Sequence, residues 1–167
     1  MRAWLLLILA IAAGGCAGYK LGPTNGNAVG SRTVQFKAFI NKTHEPRVTG
    51  CLSTSLREQL QQDGTFRLQT SGRPDIVVSG EITRFDRVGL SYLAGDVLTP
   101  SEYTLTMQAH VVAVDMSTGK TFISRTVQGS TYLRIGNDEY SAERQAIPLL
   151  TDIVARDAIS LLANGSW

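Results

Sequence analysis

The segment Tyr103 to Ala113 sets the terms for the rest of the chain. Tyr103, Leu105, Met107, Ala109, Val111 and Ala113 fall on every second position, with polar residues between them as far as His110. Side chains alternate across an extended strand, so this spacing puts the apolar groups on one face and leaves the other wet. A half-apolar strand needs a second layer to cover it. Two segments with helical spacing can supply that layer. Val48, Leu52, Leu56 and Leu60 recur every fourth residue with Cys51 beside them, while Arg57, Glu58, Gln59 and Gln61 take the other side. Near the C-terminus Ala142, Ala146, Leu149, Leu150, Ile153, Val154, Ala158, Leu161 and Leu162 make one broad face.

The remaining elements follow from local signals. Val34, Phe36, Ala38 and Ile40 alternate with Gln35, Lys37 and Asn41, a first strand with Phe39 as its exception. Pro46 suits the first position of the following helix, and Asp63-Gly64 suits its end. Strands are expected at Thr65 to Thr70 and at Ile76 to Phe85, where Gly80 marks a bulge or a close backbone approach. Asp115 to Lys120 is a tight connection that pairs the best strand with Thr121 to Tyr132. Ser141 is the expected N-cap of the last helix, and Pro148 is expected to kink or restart it. Asp86 to Ser101, with Gly89, Gly95 and Pro100, reads as a long loop of the kind that carries function. The expected fold class is α+β: a mixed, mostly antiparallel four- to five-stranded sheet with two amphipathic helices packed on one face. Strand order stays open.

The first residues read as an export signal. Met1 and Arg2 give a positive start, Ala3 to Ala13 is an unbroken apolar run, and Ala13-Gly14-Gly15 is a small-residue stretch. As a helix that run rises about 16 Å, half of a hydrocarbon core of about 30 Å, so residues 1–15 are expected to be processed and not to span a membrane. Cys16 follows at once, and Gly14-Gly15-Cys16 resembles the end of a lipobox, with Ala13 where Leu is more usual. The expected mature chain starts at Cys16 and carries an S-diacylglycerol and an N-acyl group there. Each buried methylene contributes about 0.8 kcal/mol, enough in combination for stable anchoring. An ordinary cleaved signal with a free Cys16 thiol is the alternative. Ala17, in place of the Asp that resembles an inner-membrane retention signal, directs the expectation to the periplasmic face of the outer membrane. With Cys16 acylated, Cys51 has no partner and reads as a small buried apolar residue. Residues 16–32, rich in glycine, read as a flexible tether, and residues 33–167 as a single domain.

Composition removes several function classes. Sixteen Lys and Arg against fourteen Asp and Glu leave +2, without the basic excess of a nucleic-acid binder. Two cysteines and two histidines make neither a disulfide framework nor a histidine-rich metal site. Gly119-Lys120-Thr121 has Val114 where a phosphate-binding loop needs glycine, so it reads as a turn. His44 and His110 have no ligand at metal spacing, Glu139 and Glu143 read as a solvated helix face, and Ser53-Thr54-Ser55 lacks an adjacent base. No catalytic residue, metal or cofactor is expected beyond the covalent lipid. Binding chemistry remains. Arg84, Arg87, Lys120, Arg125 and Arg134 lie on or beside the later strands, where they either solvate the sheet or meet anionic phosphate groups. Leu90, Tyr92, Leu93, Val97 and Leu98 make the long loop too apolar for a merely solvated connection; they fold back on the domain or insert into a partner.

In order along the chain stand Cys16 to Gly22, Phe36 to Pro46 with its Asn41-Lys-Thr43, Leu60 to Phe66, and Gly80-Glu-Ile-Thr83. Then come Thr99 to Tyr103, Thr118-Gly-Lys120, Ser141 to Gln145 and a terminal Trp167. In this succession the chain resembles the LptE family of outer-membrane lipoproteins that serve lipopolysaccharide assembly. The resemblance implies a plug that sits inside an LptD-like β-barrel, helps it assemble and assists lipopolysaccharide delivery to the cell surface, without turnover chemistry. It also implies lipopolysaccharide contacts from basic residues near the loop before the fourth strand and on the hairpin strand. The aligned loop position is Gly95-Asp96, so Arg87 and Arg125 stand in by proximity, and Lys120 is the third expected lipopolysaccharide contact. Leu90, Tyr92, Leu93, Val97 and Leu98 are the expected partner-insertion loop. A lipoprotein subunit of an export or secretion pore shares the first half of this pattern and is the alternative. It predicts a homo-oligomeric ring, where the plug predicts one copy inside a larger barrel.

Overall fold

The computed structural model describes residues 30–93, 95–135 and 138–164. The expected signal, Cys16, nearly all of the tether and Trp167 lie outside the described residues. The chain runs β1 (Thr33–Phe36), β2 (Ile40–Asn41), α1 (Arg47–Asp63), β3 (Arg67–Leu68), β4 (Ile76–Leu93), β5 (Asp96–Asp115), β6 (Thr121–Arg134) and α2 (Glu139–Asn164). One six-stranded sheet has the order β3-β1-β4-β5-β6, with β2 continuing β1 along the same flank of β4. β4, β5 and β6 form an antiparallel meander, while β1, β2 and β3 join in parallel. This is the mixed α+β arrangement expected, with both helices on the sheet. It has one strand more than the upper expectation, because the first strand is broken in two.

The break has a simple origin. Phe36 pairs with Val78 and Ile40 with Glu81, so four steps on one strand meet three on the other. One extra residue reverses which face each later side chain takes. Phe39 therefore enters the core at 4% exposure and Ile40 turns out at 60%, the opposite of the alternation read from the sequence. A second slip lies in β4, where Ile82 pairs with Ala109 but Arg84 with Gln108, leaving Thr83 as the extra residue. Before it Ile76, Val78 and Ile82 point to the helices; after it Phe85 and Arg87 lie opposite the core residues Met107 and Leu105.

α1 follows Pro46 and buries Val48, Leu52, Leu56 and Leu60. Gly64 closes it at φ +72°, its N–H donating to the Leu60 carbonyl at 3.2 Å. α2 starts earlier than Ser141. Asp138 is its cap, its carboxylate accepting from the Tyr140 and Ser141 N–H groups at 3.1 and 3.0 Å and from the Ser141 hydroxyl at 2.6 Å. The helix runs through Pro148 without restarting. Its buried residues come in pairs four apart, from Ala146-Ile147 and Leu150-Thr151 to Leu162-Ala163. Four residues overshoot one turn by about 40°, so the stripe winds along the helix, which packs against both α1 and the sheet. Leu149 and Leu161, expected inward, fall off that stripe at 60% and 37% exposure.

Candidate functional site

Asp86 to Ser101 is not a loop. β4 and β5 continue through it as a hairpin arm that turns between the paired Leu93 and Asp96, with Gly95 at φ +86°. Alternation fails as a signal here because the register shifts at Gly89/Ser91, Ser91/Tyr92 and Tyr92/Leu93 scramble it. Val88, Leu90 and Tyr92 are 61%, 55% and 52% exposed. The side chains of Leu93, Val97 and Leu98 lie outside the described residues, although their backbone belongs to the arm.

At the root of the arm sits a charge cluster. Arg47, the first residue of α1, donates to Glu45 Oε1 and Oε2 at 2.7 and 3.0 Å and to Glu143 Oε2 at 2.5 Å. Arg87, on the arm, reaches Glu143 Oε1 at 2.5 Å. Glu143 is thus a buried carboxylate shared by two guanidinium groups, and not the solvated residue expected. Nothing in its sequence neighbourhood marked it, since the partners stand on other elements. The guanidinium of Arg47 lies 5.6 Å from the Tyr140 ring centroid and that of Arg87 5.5 Å from Tyr103. The Arg47 hydrogen bonds hold the Glu45 carboxyl below its usual range, and those carboxylates in turn push the guanidinium pKa up. This cluster ties the arm to both helices.

The third feature is the face of the sheet that the helices leave open. The β5 residues Thr104, Thr106, Gln108 and His110 alternate with the buried Leu105, Met107 and Ala109, and pair with Tyr132, Ser130, Gln128 and Thr126 on β6. Gln108 Nε2 donates to Gln128 Oε1 at 2.7 Å, and the His110 ring lies 3.3 Å from Thr126 Oγ1 and 3.1 Å from Ser124 Oγ. The result is a wall of hydroxyl, amide and imidazole groups. Lys120, in the turn after β5, and Arg125, on β6 opposite Val111, are both exposed. They stand apart from the Arg87–Glu143 pair, which belongs to the root of the arm, so the sheet does not gather the three cations into one cluster.

Two hydroxyls on α1 are structural: Ser53 donates to the Thr49 carbonyl at 2.9 Å and Ser55 lies 3.1 Å from Thr151 Oγ1. Gly119 takes φ +69° in the β5–β6 turn, as its sequence suggested. Cys51 is a free, half-buried thiol against the core. Among the described residues no group of three or more His, Cys, Asp or Glu is placed to hold a metal ion, and no helix is long and apolar enough to cross a membrane.

A family model described as "LptE: Lipopolysaccharide-assembly" matches residues 31–163. Solved structures of similar fold include a protein from Xanthomonas campestris at 14% identity, covering 86% of this chain and 90% of that one, with a TM-score of 0.61. A minor lipoprotein from Acinetobacter baumannii matches at 15% identity over 79% and 92%, with a TM-score of 0.51. The PelC dodecamer from Paraburkholderia phytofirmans matches at 17% identity over 84% and 93%, with a TM-score of 0.53. At these identities the likeness is one of fold. None of the curated proteins matches the chain.

Proposed function

The chain belongs to the LptE lipopolysaccharide-assembly family, and from that premise we propose that it is an outer-membrane lipoprotein that plugs an LptD-like β-barrel, helps it assemble and assists lipopolysaccharide delivery. The open face of the sheet carries this reading. Residues facing a barrel lumen are polar, while those facing lipid are apolar. A body lodged in such a lumen needs a polar wall, which the Thr104-to-His110 face supplies. Hydrogen bonds between two wet surfaces replace bonds to water at little net gain, so the fit is one of shape and satisfied groups, without turnover chemistry.

The arm with Leu90, Tyr92, Leu93, Val97 and Leu98 is the inserted part in this proposal. Lys120 and Arg125 are its lipopolysaccharide contacts, the first as a point charge and the second as a bidentate fork. Arg87 acts from the root of the arm, where Glu143 holds it. The lipid on Cys16 localises the protein to the periplasmic face of the outer membrane and takes no part in the mechanism.

Photocrosslinkers at Thr106, Gln128 and Tyr92 test the reading in cells, with Glu58 and Arg156 on the outer helix surfaces as controls. Capture of one barrel protein from the sheet and the arm is expected. Capture from the helix surfaces alone removes the plug. Recovery of this chain in mild detergent only with copies of itself points to the export-pore alternative.

A further inference from the structure

The sheet has two unlike edges. On one side β3 and β2 are two residues each. Past β2 the strand β4 has four register shifts against β5 and carries Arg84, Asp86 and Arg87. Short strands, bulges and charge are the devices that keep a sheet edge from pairing. On the other side β6 runs for 14 residues without proline or lysine. Its one register shift lies at its start, opposite Ala113/Val114, and no described strand pairs with its outer side. Alternate backbone N–H and C=O groups therefore face outward along a long, regular edge.

We propose that this edge of β6 is a strand-addition site that takes up an extended segment of a second protein. The inference rests on the plug reading only for the identity of that protein. The surroundings of the edge state the chemistry of the segment. On the helix side α2 comes so close that a β-carbon on Gly129 would lie 2.8 Å from Val154 Cγ2 and 3.1 Å from Ile153 Cγ2. Ile153 is only half-buried, and Leu161, eight residues on, is 37% exposed, so an added strand finds apolar cover there. On the open side its neighbours are Ser124, Thr126, Gln128 and Ser130. The segment accordingly carries polar residues on the open side and apolar residues toward α2, except opposite Arg125, which shares the helix-facing side of β6 with Val127 and Gly129. Charge separates this partner from a second copy. The only charges on β6 are Arg125, which makes no ion pair among the described residues, and Arg134, 3.1 Å from Glu102 on β5. Self-pairing brings four arginines to one seam without a new carboxylate, whereas a foreign strand with an acidic residue opposite Arg125 completes a cross-strand pair.

The test is amide hydrogen exchange of the full chain, alone at low concentration and in the complex recovered from outer membranes in mild detergent. In the complex the alternate β6 amides facing away from β5 are expected to exchange about tenfold more slowly or better. Arg125→Glu is expected to speed dissociation of the partner several-fold and Arg125→Lys to leave it near the starting rate. Equal exchange of these amides in both samples overturns the proposal, as does protection that rises with the concentration of the chain alone. Unprotected β6 in a complex that contains a barrel removes strand addition and leaves the plug; protected β6 in a complex without a barrel does the reverse. Loss of lipopolysaccharide binding by Arg125→Glu with β6 exchange and partner dissociation unchanged assigns that guanidinium to the glycolipid alone and overturns its role in strand addition.

Discussion

At Gly80 a missing side chain decides how the sheet is built. A β-carbon there would lie 2.2 Å from the His110 carbonyl oxygen and 2.5 Å from Phe39 Cε1, closer than atoms can pack. The glycine lets the Phe39 ring lie against the strand after the extra residue has turned it inward. Gly80→Ala is expected to lower stability by about 1–3 kcal/mol through overpacking. Urea unfolding should show it as a lower midpoint at unchanged slope; a midpoint within error of the parent would mean that the contact relaxes freely. The sequence marked Gly80 as a bulge or a close approach, and the close approach is what the strand pairing and the Phe39 ring require. Phe39 it marked only as an exception to the alternation, not as a core residue. A bulge is a property of the pair of strands, and the partner lies some forty residues away in the chain.

Among the elements, the arm and α2 depend on each other through Glu143. Without that carboxylate Arg47 and Arg87 keep their aromatic contacts but lose their shared acceptor. Both guanidinium groups are about one-third exposed, so water screens part of the loss. Glu143→Gln is expected to reduce stability by about 1–2 kcal/mol and to speed amide exchange in the arm more than in the β5–β6 hairpin. Uniform exchange across both hairpins would count against a local clasp. Arg87→Lys should not replace the arginine fully, since a compact ammonium lacks the planar guanidinium that reaches Glu143 while lying over the Tyr103 ring. The helices themselves were legible from their fourth-residue spacing. The arm was not, since its bulges erase the period-two pattern on which strand assignment relies.

Across the whole molecule, two carboxylates fasten the start of β1 to the ends of β4 and β5. Asp75 Oδ2 accepts from the Thr33 N–H at 2.7 Å and from its hydroxyl at 2.8 Å. Asp115 accepts from Ser117 and meets Arg32. The Thr33 hydrogen bonds hold Asp75 below the usual carboxylate range, and those from Ser117 and Arg32 do the same for Asp115. A carboxyl with a folded pKa below its unfolded value of about 3.9 adds stability in full above about pH 5 and loses it as the pH falls through the folded value. Urea midpoints are therefore expected to be level from pH 7 to pH 5 and to fall steeply below about pH 4, with Asp115→Asn flattening that fall. A parent profile that stays level to pH 3 would remove these groups from the account.

Taken alone, the chain of residues determined both helices and the strands outside Asp86 to Ser101, where the tight turns and glycine caps fall, and the order in which family features appear. Spacing of two or four along a local segment carries that information directly. Only the tertiary structure decided which way Phe39, Arg87 and Glu143 face, that Asp86 to Ser101 is an arm, and that β6 ends the sheet with an open edge. Each of these depends on pairing or packing between segments and not on local spacing; within the sheet, one extra residue reverses every side chain that follows.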